Sequence, residues 1–364
     1  MVIKNAWDCY IQDVNNKIYI DTTMACGVQI IGHNNSLIRK TYKQIKKGTI
    51  YTVPNHHTEQ VTFLLSQINP KLHNEYIFCN TGTEANMRAI RLARAFTGKT
   101  LIGRFHGGWH GGLDGFIDSK GIPDVSNNLI KILPYNDDRC FDQITSDLAA
   151  VIIEPVQGSN PRADIGPFLT KLREVCTNNG VLLILDEVMT GFRLGINGGA
   201  GIFNIEPDII TYGKVLGGGF PIGAVGGKED IMKTKDVFYG GTFSGNPITM
   251  YAAKLILDTI INKKYIRYTY LDSLGELFRN KLNSIFQDRK TPMQAMGCGS
   301  VNKIVFTEKF INNKKDKDRL EQQNQEEFYD QLKLRGIFIN TNGIIQFSMS
   351  HTSKTVDKII NAFH

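Results

Sequence analysis

The six cysteines, at positions 9, 26, 79, 140, 176 and 298, include no CxxC pair. The spacing therefore supports neither a zinc ribbon nor a thioredoxin-type redox motif. Cys79 and Cys176 lie in apolar runs and read as buried, reduced thiols. No apolar run approaches the roughly 20 residues of a membrane-spanning helix. The opening MVIKNAWDCY lacks a signal-peptide core, so the cytoplasm is the expected compartment and no membrane partner is expected. There is no internal repeat and no low-complexity segment. Charge of one sign is also scarce: the net is +7 over 364 residues, and clusters such as 314–317 include Asp316. These read as solvated faces, and no nucleic-acid partner is expected. Mild positive charge does suit phosphate- or carboxylate-bearing ligands.

What is present is an ordinary globular composition, 41% hydrophobic and 21% charged. The length allows a large core and two lobes. Residues 1–40 suggest a β-rich entry, with 7–11 and 17–21 alternating around the turn-forming cluster 13–16. From about residue 58, helical and strand patterns alternate. Helices are expected at 58–66, 85–96 (closed by Gly98) and 168–178 (closed by Gly180). Strands are expected at 75–79, 100–103, 129–133, 149–156 and 181–185. This alternation implies an α/β fold with a mostly parallel sheet and helices on both faces. A long helix should follow Asn246-Pro247. Beyond it come helices at 270–286, 323–334 and 354–363, a charged loop at 308–317, and strands at 300–306, 336–340 and 344–349. The expected division is 1–40 joining a small α+β domain at 251–364, with a large domain at 41–250.

One stretch organises the rest, Val181 to Gly227. Asp186 follows the apolar run Val181–Leu185, and Lys214 follows Ile209–Tyr212. Each falls where a buried strand should end, and parallel α/β sheets bind ligands beyond those ends. Alone, the Asp reads equally as an N-cap or metal ligand, and the Lys as a surface charge. Together, beside the glycine-rich GGGFPIGAVGG, they suit pyridoxal phosphate, which needs a lysine for its aldehyde and an acid against its ring nitrogen.

Other motifs carry their own alternatives. Thr81-Gly82-Thr83, between a strand and a helix start, can cradle a phosphate, or be a plain capping box with Thr81 and Glu84. Trp109 in FHGGWHGG could stack on a flat ring. His106-x-x-x-His110 has metal-ligand spacing, but the glycines argue against a helix and no third ligand is near, so no metal is expected. Thr242 in FYGGTFSGNP could donate to a phosphate or simply make a turn. Glu154 and Gln157 in EPVQG could contact cofactor or substrate, or be structural.

Taken in order, NTGTEAN, GGWHGG, EPVQG, LDEVMTGFR, YGKVLGGGFPIGAVGG and GTFSGNP resemble the class III, or omega-type, aminotransferases of the aspartate aminotransferase fold, fold type I. Within that class the chain is most similar to glutamate-1-semialdehyde 2,1-aminomutases. The resemblance implies a cofactor, pyridoxal 5'-phosphate, joined to Lys214 as an aldimine, with Asp186 keeping the ring nitrogen protonated. It implies Gly82 and Thr83 at the phosphate, Trp109 stacked on the ring with His110 beside it, and Val188 against the opposite face. Thr242 would reach the phosphate of the neighbouring subunit in a homodimer with shared sites. Ser159 and Asn160 replace family residues that contact cofactor or substrate, so Ser159 is a candidate contact. The implied reaction is ping-pong transfer from an amino donor to a carbonyl acceptor: an aldehyde, keto acid or keto-sugar. The short 113–128 segment and an acid-free NTNGIIQFSMSHT argue against a lid that retains a diamine, hence for intermolecular transfer over the intramolecular aminomutase reaction. A decarboxylase or racemase of the same fold type, or an inactive paralogue that binds the cofactor, completes the alternatives.

Overall fold

The computed structural model describes residues 1–117, 119–262, 266–320 and 325–363. They form two compact units, one of Met1–Arg39, Val156–Ala163 and Lys263–His364, the other of Lys40–Pro155 and Asp164–Asn262. This differs from the sequence expectation in two places. The helix Pro247–Ile261 stays with the larger unit, and the short 156–163 segment joins the smaller one.

The chain opens on three antiparallel strands, β1 (Ile3–Trp7), β2 (Tyr10–Asp13) and β3 (Ile18–Asp21). The expected hairpin lies between β2 and β3. Asp13 fixes its turn by accepting from the backbone N–H groups of Asn15 and Lys17, both at 2.9 Å. β1 is an addition to it.

The larger unit is built on a seven-stranded sheet. Its strands are β4 (Ile77–Cys79), β5 (Leu101–Phe105), β6 (Ile130–Leu133), β7 (Leu148–Ile153), β8 (Leu182–Asp186), β9 (Ile209–Gly213) and β10 (Gly223–Gly227). The order across the sheet is β4-β10-β9-β8-β7-β5-β6. Only β10 runs against its neighbours β4 and β9. β7 and β9 are buried along their whole length, as continuous apolar runs covered on both faces should be. The helix Gly82–Thr97 lays Ala85, Ala89 and Ala93 into the core against Ala150, Ile152 and Ile184. Small side chains on that face let helix and sheet approach closely. Gly98 ends the helix in the left-handed conformation. β10 is absent from the sequence expectation, which reads GAVGG only as part of a glycine-rich stretch.

The smaller unit adds β11 (Gln294–Cys298), β12 (Val301–Val305), β13 (Ile337–Phe338) and β14 (Ile344–Gln346). β11, β12 and β14 form an antiparallel sheet, and β13 pairs in parallel with β3. Helices Tyr268–Asp288 and Ser353–Asn361 bury Phe278, Phe286, Val356 and Ile359 in one core with Phe347. β11 is another strand not expected from the sequence, and part of the expected charged loop is the helix Lys314–Leu320. Of the helix expected at 323–334, Gln325–Leu334 is observed; 323 and 324 lie outside the described residues. No helix among the described residues is long and apolar enough to cross a membrane.

Candidate active site

β8 and β9 lie side by side in parallel, with Asp186 opposite Thr211. The upstream residues of both strands are mostly apolar and buried, so charged groups appear only at their carboxyl ends. Asp186 is the last residue of β8 and is 1% exposed. Lys214 follows β9 directly, half-buried, with φ +43°. A non-glycine residue in that region is held there by its surroundings, a pattern found at ligand sites.

The Asp186 carboxylate is surrounded by donors. Its Oδ2 accepts from Asn86 Nδ2 at 2.7 Å and lies 2.7 Å from His110 Nδ1. Its Oδ1 accepts from the Val188 backbone N–H at 3.0 Å. Asn86 also donates to the His110 carbonyl, and its own Oδ1 accepts from Thr211 Oγ1 at 2.7 Å. An ionised carboxylate is an acceptor only, so the His110 nitrogen facing it carries the proton.

The turn before the helix Gly82–Thr97 is built as expected. Thr81 is the N-cap and accepts from the Glu84 backbone N–H at 3.1 Å. Glu84 reaches back to the Asn80 backbone N–H at 2.6 Å, one residue beyond the usual capping box. Gly82 and Thr83 open the helix, where N–H groups have no intrahelical acceptor and the dipole favours an anion. A Cβ on Gly82 would fall 2.6 Å from Val188 Cγ1, so Gly82 and Val188 face each other closely. Gly111, at φ +95°, brings the FHGGWHGG loop against the Thr83 side chain.

Trp109 is 66% exposed, and its backbone N–H donates to Glu154 Oε2 at 2.8 Å. Glu154, just past β7, is buried. Burial pushes its carboxyl up to about 7; His110 and Lys214 pull the other way and Asp186 adds to the rise. Ile153 pairs with Leu185, so Glu154 and Asp186, the residues that follow them, stand at the same sheet edge. Thr242 is exposed on the loop 238–246. Buried Arg88, on the Gly82–Thr97 helix, holds that loop through the Gly240 carbonyl and Ser244 Oγ, both at 3.2 Å. Arg91 adds a bond to the Phe238 carbonyl. Gln157 and Ser159 belong to the smaller unit. Gln157 is buried there, bridged to Asn160, whose side chain donates to the Asn312 carbonyl. The larger unit thus gathers Gly82, Thr83, Trp109, His110, Glu154, Asp186, Val188, Lys214 and Thr242. No cluster of metal-ligating side chains occurs among the described residues.

Three residues of this arrangement escape a reading of the sequence: Asn86, Thr211 and Arg88. Each is a polar side chain in an otherwise apolar register, which was the available signal. Thr211 interrupts the run Ile209–Tyr212, and Asn86 follows Ala85 on the buried side of its helix.

The family model for class III aminotransferases matches residues 1–364, and the chain belongs to that family. Among curated proteins it is 33% identical over 386 aligned positions to a glutamate-1-semialdehyde 2,1-aminomutase of Methanothrix thermoacetophila, covering 99% of this chain and 88% of that one. It is 37% identical over 334 positions to glutamate-1-semialdehyde 2,1-aminomutase 2 of Lachnoclostridium phytofermentans, covering 84% and 77%. Among solved structures it resembles an omega-transaminase from Sphaerobacter thermophilus at TM-score 0.91 and 28% identity, covering 100% and 89%. A β-phenylalanine aminotransferase from Variovorax paradoxus matches at 0.90 and 29%, covering 100% and 86%. The fold is therefore that of the fold type I transferases.

The residues present fit pyridoxal phosphate. A lysine and a carboxylate held by three donors stand at adjacent strand ends. The helix start at Gly82 can take a phosphate. A side chain at position 82 would occupy the space against Val188.

Proposed function

We propose that the chain is a pyridoxal phosphate-dependent aminotransferase, moving an amino group from a small-molecule amino donor to a carbonyl acceptor. The observation that carries this is Asp186, buried and held by Asn86 and His110, one strand away from Lys214. When bound, pyridoxal phosphate supplies an aldehyde that takes up an amino group and a ring that accepts electrons from the adjacent carbon.

The protein's own groups do the rest. Gly82 and Thr83 bind the phosphate through the helix start. Val188 would lie against one ring face and Trp109 would cover the other. Asp186 holds a proton on the ring nitrogen, which keeps the ring an electron acceptor. Lys214 Nζ anchors at the aldehyde. As a free amine it would serve as the base that carries the donor's α-proton. His110 orients Asp186, and Glu154 holds the Trp109 backbone. Gln157 and Ser159 remain candidates for substrate contact. Thr242, exposed on its arginine-held loop, would serve the phosphate of a neighbouring subunit in a homodimer.

Intermolecular transfer is favoured by the short 113–128 segment and by 340–352, which contains no acid. The second reading, glutamate-1-semialdehyde 2,1-aminomutase, is favoured by the relatives of that name at 33% and 37% identity. One experiment separates them. The protein loaded with pyridoxal phosphate is given single amino donors with no acceptor, and separately glutamate 1-semialdehyde alone. An aminotransferase releases one carbonyl product per site and stops until acceptor is added. Continuous turnover of the semialdehyde with no second substrate would establish the aminomutase instead, and no reaction with either would leave a cofactor-binding protein without this activity.

A further inference from the structure

Asn86 and Thr211 form a directional chain that ends on the one carboxylate the proposed chemistry depends on. The orientation of an amide is ordinarily assigned rather than seen. Here the neighbours fix it. Asn86 Nδ2 faces the Asp186 carboxylate at 2.7 Å and the His110 carbonyl at 3.1 Å. Both are acceptors. A flipped amide would set its oxygen against two other oxygens and leave the Thr211 hydroxyl only the longer approach to Asp186 Oδ1, at 3.5 Å. Thr211 Oγ1, 2.7 Å from Asn86 Oδ1, therefore locks the amide with its N–H toward Asp186. All of this is dry: Asn86 is 1% exposed, and Thr211 is fully buried. In such surroundings a satisfied network is stiff, and a broken one leaves unpaired groups at full cost.

The carboxylate's acceptor sites can then be counted. An ionised carboxylate offers about two sites per oxygen. Oδ2 spends both, on Asn86 and His110. Oδ1 accepts only from the Val188 N–H; the Thr211 hydroxyl, at 3.5 Å, has its proton committed to Asn86. One site on Oδ1 is left.

We propose that Asn86, locked by Thr211, is a positioning residue for Asp186: it fixes the carboxylate's orientation and leaves Oδ1 as the oxygen that receives the cofactor's ring N–H. This rests on the proposed use of pyridoxal phosphate. It extends that use to two residues that act through the carboxylate. Asn86→Asp would place a second carboxylate against the first, and like charges that close cannot both stay ionised. Thr211→Val keeps the shape, removes the lock and lets the amide turn its oxygen toward Asp186. Thr211→Ser keeps the hydroxyl.

The test measures the pyridoxal phosphate dissociation constant, the pH dependence of the bound cofactor's visible absorbance, and the melting temperature of each protein. Asn86→Asp is expected to weaken binding by about tenfold or more and to displace the absorbance transition by about one pH unit. Thr211→Val should do the same in smaller degree, and Thr211→Ser should restore both. A merely structural role would lower the melting temperature and leave the absorbance transition where it was; that result in Thr211→Val overturns the proposal, even if Asn86→Asp fails to fold. If the unmodified protein takes up no pyridoxal phosphate, the functional reading itself falls. If it does and the variants titrate alike, the positioning role alone falls.

Discussion

A Cβ at position 82 would lie 2.6 Å from Val188 Cγ1, closer than side-chain atoms pack. Gly82→Ala is therefore expected to cost about 1–3 kcal/mol through overpacking and to weaken pyridoxal phosphate binding. Trimming the opposing side chain in Gly82→Ala/Val188→Ala should recover most of the stability. Thermal melts and cofactor titrations of the two variants check this; equal losses in both would show that the contact is not the cause. At this scale the sequence is legible where a residue's type is at odds with its neighbours and the neighbours are simple. Asp186 and Lys214 stand out because each follows a mostly apolar run. Asn86 and Thr211 do not, because one polar residue within a buried element is common, and its meaning depends on partners distant in the chain: 125 residues separate these two.

Elements show the same limit in another form. Strands with long apolar side chains, such as β7, announce themselves. β10 does not, since GAVGG is composed mostly of glycines required by crowding: a side chain at Gly226 would run into the Tyr76 ring. β11, with the sequence QAMGC, lacks the β-branched residues that mark a strand. The junction after β8 carries a prediction. Glu187 accepts from the Gly199 and Ala200 backbone N–H groups and from Thr190, tying the strand end to the start of the short helix Gly198–Ile202. Burial pushes its carboxyl from 4.5 up to about 7 despite those bonds. The folded protein thus holds this proton more tightly than the unfolded chain. The resulting stability is complete below the unfolded value and is lost as pH rises through the folded one, by about 1.4 kcal/mol per pH unit within that window. Glu187→Gln, which cannot titrate, should show a shallower fall of the urea midpoint between about pH 5 and 7 than the unmodified protein. Parallel curves would contradict the assignment.

On the scale of the whole molecule, the larger unit leaves Tyr42, Val53, Phe63, Phe238 and Phe243 exposed. Phe238 and Phe243 are 76% and 63% exposed and flank Thr242 on its arginine-held loop. Exposed large apolar side chains on either side of Thr242 suit an association surface, and the proposed homodimer would use it to carry Thr242 to a second site. Phe243→Asp is expected to shift sedimentation from dimer toward monomer and to weaken pyridoxal phosphate retention with it. A dimer unaffected by that change would place the association surface elsewhere. The most direct test of the account as a whole is chemical. The purified protein is loaded with pyridoxal phosphate, reduced with borohydride, digested, and its peptides weighed. The expected result is the mass of the reduced cofactor on the peptide containing Lys214, at Nζ, and its loss in Lys214→Ala. An unmodified Lys214 peptide, or the label on another lysine, would contradict the account.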